Sequence, residues 1–154
     1  RAFRDAHRLL VPFLGSTHDR LALELAARIA RHAGASLQVL HVVRPMSDFA
    51  AASAWLREQV GPVMPDLFER QIVHLHVVED SSPAGVILFQ ARNADLVVIG
   101  VSDAWGLGPH PFGWRPERIA RDCPCSLLIV RSRGRTPRSG PGPAAVPPVL
   151  VVGR

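Results

Sequence analysis

Short runs of continuous apolar residues alternate along this chain with longer segments whose apolar positions recur every three or four residues. The first pattern suits strands buried on both faces and the second suits helices with one buried stripe. LLVPFL at residues 9–14, SLQVLHVV at Ser36–Val43, LVVIG at residues 96–100 and SLLIVR at Ser126–Arg131 read as buried strands. IVHLHVV at residues 72–78 alternates instead, so it predicts a strand with one wet face near a sheet edge. Strand followed by helix, repeated, is the order of parallel strands joined by crossover helices. Five strands and four crossings predict an α/β three-layer sandwich with an open five-stranded parallel sheet.

The helical segments carry their own punctuation. Ser16 with Asp19 three residues later forms a helix-start signal, and a stripe of Leu21, Leu25, Ile29 and Ala33 leads to a stop at Gly34. An alanine-rich helix is expected over residues 50–60, and Gly61, Pro62 and Pro65 interrupt the helical pattern beyond it. Ser82 and Pro83 open a further helix whose buried stripe is Val86, Ile87 and Ala91, and a short helix is expected over residues 114–121. Residues 133–154 hold four glycines and five prolines, which no helix or central strand sustains. The expected organisation is a linker at 1–7, one domain at 8–132 and a disordered Pro/Gly/Arg-rich tail at 133–154, with VLVV at 149–152 as its one apolar patch.

At 154 residues and 47% hydrophobic content the chain supports one domain with a real core. Its formal net charge of +5 lies at the ends, because residues 9–132 carry eleven arginines against twelve acidic residues. A near-neutral body argues against a phosphate-backbone surface, so no nucleic-acid partner is expected. Cys123 and Cys125 are the only cysteines, and their spacing fits neither a zinc knuckle nor a dithiol redox pair. No run approaches the roughly 20 apolar residues that span a bilayer, and a cytoplasmic location is expected. A first residue of Arg1 suggests a segment of a longer polypeptide.

Two strand ends close on glycine, at Gly15 and Gly100, and each precedes a helix, which predicts a ligand crevice at the carboxyl ends of the strands. These motifs, with LHVV in the second strand and IARDCPCSLLIVR at the close, resemble in order and spacing the universal stress protein domain. The resemblance covers residues 8–131 and implies an ATP site in one branch of the family. That branch carries Gly, two residues, Gly, nine residues, then Gly followed by Ser or Thr, with an aspartate in the first-strand motif. Gly100 and Gly113 match the outer glycines, and Gly15 and Ser16 stand at the first-strand turn. Asp103 replaces the middle glycine, Trp114 the hydroxyl, and Leu14 the aspartate.

Each replacement opposes a triphosphate: Asp103 adds negative charge, Trp114 removes a hydroxyl at the helix start, and Leu14 offers no hydrogen bond. The expectation is a degenerate ATP site with no cofactor, in a non-catalytic regulatory module. Gly106 and Gly108, with His110 or Arg115 nearby, form either another anion nest or a turn-rich loop, and Trp105, Phe112 and Trp114 could fill the pocket. The alternative is an ATP-binding nucleotide sensor. The resemblance also implies a homodimer through the last strand, where Leu127, Leu128, Ile129 and Val130 would lie at an open sheet edge. Domains of the family occur on membrane transporters such as cation/proton antiporters, which the flanking segments of this chain would suit.

Other clusters have simpler readings. His74 and His76 share a strand face without an evident third ligand, so they read as solvated and no metal site is expected. Ser16, His18 and Asp19 include the residue types of a hydrolase triad but lie too close in sequence, and capping explains Ser16 and Asp19. Cys125 is expected to pack as a small hydrophobe, with Cys123 reactive only if exposed beside Arg121.

Overall fold

The computed structural model describes residues 5–101, 116–131 and the strand at 149–152. In chain order the elements are β1 (Arg8–Pro12), α1 (Thr17–Ala33), β2 (Ser36–Val43), α2 (Phe49–Val60), a 3-10 turn (Gly61–Val63), α3 (Pro65–Glu69) and β3 (Val73–Glu79). They continue with α4 (Pro83–Ala91), β4 (Leu96–Val101), α5 (Pro116–Asp122), β5 (Ser126–Arg131) and β6 (Val149–Val152). The sheet order is β3-β2-β1-β4-β5-β6. The first five strands are mutually parallel, as the crossover pattern predicts, and β3 is the edge its alternation indicates. The chain winds from β1 towards β3 and then crosses to the far side of β1, so the winding direction reverses between β1 and β4.

Two apolar layers sandwich this sheet. One joins Leu9, Val11 and Phe13 of the first strand region to the alanine face of α1 and to Leu56 and Val60 of α2. The other joins Leu10, Leu40, Val97 and Ile99 to Ala84 and Ile87 of α4 and Ile119 of α5. Alternate strand residues feed opposite layers, which is why the central strands read as unbroken aliphatic runs.

Helix α1 buries a different stripe from the one expected. Ala22, Leu23, Ala26, Ala27, Ile29 and Ala30 face the core, while Leu21, Leu25 and Ala33 flank it half-buried. A strict four-residue row drifts around a helix of 3.6 residues per turn, so the true stripe mixes steps of three and four. The alanines also let the helix lie close to the sheet. Gly34 ends it in the left-handed region, at φ 66°, donating its N–H to the Ala30 carbonyl. In α4, Ile87 and Ala91 are buried as expected, Ala84 joins them, and Val86 is only half-buried.

The far end of the chain departs from the expected unstructured tail. Residues 149–152 pair antiparallel with β5, Val130 against Val149 through Leu127 against Val152. The physical reason is local: four consecutive aliphatic, mostly β-branched residues form a competent strand whatever precedes them. Consequently β5 is not the open edge that its position as last parallel strand suggested. Leu127, Leu128, Ile129 and Val130 lie inside a six-stranded sheet and are buried.

Candidate functional site: the β1–β4 crevice

Small molecules lodge in open parallel sheets beyond the carboxyl ends of the strands, where the winding reverses. Here that place is bounded by Leu14, Gly15 and Ser16 after β1, by the first turn of α1, and by Gly100 and Val101 of β4. Gly113, Asp103 and Trp114, together with Trp105, Gly106, Gly108, His110, Phe112 and Arg115, lie outside the described residues.

The turn after β1 is organised around one carboxylate. Asp19 is buried, and its Oδ2 accepts the backbone N–H of Leu14 at 2.9 Å and of Ser16 at 3.2 Å. Ser16 Oγ in turn accepts the Asp19 N–H at 3.1 Å, which completes the capping box expected from sequence. The Arg20 N–H is bonded to the Ser16 carbonyl. The amides of Leu14, Ser16, Asp19 and Arg20 therefore already have partners within the chain. Burial pushes the Asp19 carboxyl above its ordinary range, and the hydrogen bonds from the Leu14, Ser16 and Gly15 backbone and the Ser16 hydroxyl oppose that shift. The sequence indicated the cap but not the longer reach to Leu14.

Gly100 has a packing role that its place in a phosphate-type motif conceals. A Cβ on Gly100 would stand 2.1 Å from the His18 carbonyl oxygen and 2.8 Å from the Asp19 nitrogen. Only a glycine lets the first turn of α1 rest on β4 this closely. His18, held there by its backbone, has a buried Nδ1 with no hydrogen-bond partner, alone in this among side-chain polar atoms of the described residues.

Gly15 is constrained on another side. Its φ of 101° is one that residues with a side chain rarely adopt, and a Cβ there would meet the Trp55 ring at 2.8 Å. Trp55, on α2, also packs against Phe13 and His41, with ring centroids 5.8 and 4.9 Å away. His41 Nδ1–H donates to the Phe13 carbonyl oxygen at 2.8 Å, tying β2 to the start of the same turn. Sequence reasoning passed over Trp55. Its one signal was a single indole in an otherwise small-residue stretch, AAASAWL.

The remaining candidates separate from this crevice. His74 and His76 lie on edge strand β3, where Gln38 Nε2 donates to His76 Nδ1 at 2.9 Å. Among the described residues no group of three or more His, Cys, Asp or Glu side chains is placed to hold a metal. Cys123 is the buried thiol and Cys125 the half-buried one, reversing the expected assignment, with their sulfurs 3.8 Å apart. The nearby Cys123 thiol and burial push the Cys125 thiol far up, so it resists forming a thiolate. No helix among the described residues is long and apolar enough to cross a membrane.

A parallel three-layer α/β sandwich whose winding reverses beside two glycine-ended strands defines an architectural class, in which any ligand is expected beyond the strand ends. Within that class, the profile of the universal stress protein family matches residues 6–131. The chain belongs to the universal stress protein family. A universal stress protein of Thermus aquaticus is 25% identical over 142 residues, covering 80% of this chain and 97% of the relative. Among solved structures, a universal stress protein in complex with cAMP superposes with a TM-score of 0.63 at 24% identity, covering 82% of this chain and 97% of its own. A family member from Arabidopsis thaliana with AMP bound gives 0.57 at 17% identity, covering 81% and 91%. Both structures share the fold derived above.

Proposed function

We propose that this chain is a non-catalytic, cytoplasmic regulatory domain that acts by pairing with a second copy through β5 when β6 leaves that strand's edge, its crevice no longer fitted to ATP. The observation that carries the reading is the engaged turn after β1. A phosphate at the start of α1, on the β1 side of the crevice, would need free N–H groups and a favourable potential. Here the Leu14 and Ser16 amides already bond to Asp19, and the carboxylate itself, when ionised, repels an anion. Leu14 supplies no polar contact to a ribose or base, and Gly15 is backed by the Trp55 ring. The test is calorimetry with ATP and magnesium on the full chain. No heat of binding is expected at micromolar concentration, whereas micromolar binding abolished by Gly113→Arg would overturn the degenerate-site reading.

A second reading, a nucleotide sensor, is favoured by one observation. The buried Nδ1 of His18, a residue whose backbone carbonyl rests on Gly100, has no partner, and a ligand reaching it would satisfy it. The related structures holding cAMP and AMP make adenosine monophosphates the natural probes. A ligand-dependent change in the His18 imidazole NMR signals on adding AMP or cAMP would favour this reading. Unchanged signals at millimolar nucleotide would remove it.

A further inference from the structure

The strand β6 has a counterpart in its own neighbour. Two copies of one edge strand related by a two-fold axis must pair antiparallel, because the axis reverses the strand direction. β6 meets β5 antiparallel, and its sequence sets VLVV against LLIV, four aliphatic residues against four. In direction, length and character it offers β5 what the β5 of a second copy would offer. Leu127, Leu128, Ile129 and Val130 are each at most 2% exposed in this arrangement.

We propose that β6 is a built-in competitor for the β5 edge, closing in cis the surface on which a second copy of this chain would pair. The inference rests on the reading of β5 as the dimerising strand. Residues 132–148 connect the two strands and are rich in proline, glycine and arginine. A covalent tether of that length holds β6 near β5 at an effective concentration on the order of millimolar. A twin at micromolar concentration must outbind it, so the tethered strand raises the concentration at which dimers form. Four residues make few ladder bonds, so the closure is reversible. Anything that draws β6 away releases the edge for association.

The test uses the full chain and the double substitution Leu150→Pro and Val151→Pro. Adjacent residues of a strand direct their N–H groups to opposite sides, so one of the two prolines removes a bond to β5 in either register. Sedimentation velocity across a micromolar range reads the association, and amide hydrogen exchange at residues 127–130 reads whether the edge has opened. The expected result is a largely monomeric parent and a variant whose dimer forms at a concentration at least about tenfold lower. Equal dimerisation of both proteins would overturn the competitor while leaving the dimerising strand intact. Monomers throughout, with the β5 amides newly exchanging in the variant, would overturn both. Monomers throughout with unchanged protection would show that β6 does not guard the edge, and would overturn the inference as well. Replacing 149–152 in the full chain by Ser-Gly-Ser-Gly is the second variant, and it must reproduce the tenfold change.

Discussion

Gly100→Ala is the sharpest probe of how α1 sits on the sheet. The added methyl would lie 2.1 Å from the His18 carbonyl oxygen and 2.3 Å from the His18 carbonyl carbon, against 3.4 Å or more for ordinary contact. Those atoms are backbone, in a turn pinned by the capping box and by the Asp19–Leu14 bond, so no side chain can swing aside. Relief requires the helix start to withdraw by more than about 1 Å, a degree of overpacking at the upper end of roughly 1–3 kcal/mol. A gain of up to about 1 kcal/mol from restricting the unfolded chain leaves a net loss of roughly 2–3 kcal/mol. For a domain of this size that lowers Tm by roughly 4–12 °C. Gly34→Ala is the control: its φ of 66° strains an alanine, but nothing lies within 4 Å of the added carbon. It should cost about 1 kcal/mol. Urea and thermal unfolding of the two variants beside the parent make the comparison. If Gly100→Ala loses no more stability than Gly34→Ala, the close approach of α1 to β4 is refuted.

The same contacts set further outcomes. Asp19→Ala leaves the Leu14 and Ser16 amides without their acceptor and should lose roughly 2–4 kcal/mol, whereas Asp19→Asn keeps an acceptor and should lose about 1 kcal/mol or less, as urea unfolding would measure. Because the folded Asp19 carboxyl titrates above the unfolded one, the native state holds the proton longer. Its contribution to stability is therefore fully present below the unfolded value and falls as pH rises through the folded value, a slope that Tm against pH should show in the parent and lose in Asp19→Asn. Asp66 behaves oppositely: the Arg31 guanidinium bonded to it at 2.8 Å holds its carboxyl down at about 2. Its stabilising effect is present above the unfolded value and lost as pH falls through about 2, and carboxyl NMR titration in Arg31→Ala should show the midpoint return towards 3.8. Trp55→Ala should destabilise by roughly 2–3 kcal/mol, since a half-buried indole contacting Phe13, His41 and Gly15 is removed, and urea unfolding measures it.

The parallel sheet was legible because strands buried on both faces leave unbroken aliphatic runs such as LVVIG, and because Ser16, Pro83 and Gly34 mark helix ends by local backbone chemistry. What escaped depends on neighbours distant in sequence. The face of α1 turned towards its alanines, since their value lies in the closeness of the sheet. Trp55 became part of the crevice only when α2 was laid beside the β1 turn, and Gly100 reads as a motif glycine until the backbone of His18 is set against it. Residues 149–152 looked like the sticky end of a proline-rich segment because their partner was itself assigned an open edge.

The seat that Gly100 provides for α1 bears on how descent is read in such domains. Whatever this crevice holds, a side chain at this position would push the start of α1 off β4, so a glycine there reports architecture. At position 14 the side chain also decides what a ligand would meet, and this chain places there a leucine packed half-buried against the second apolar layer.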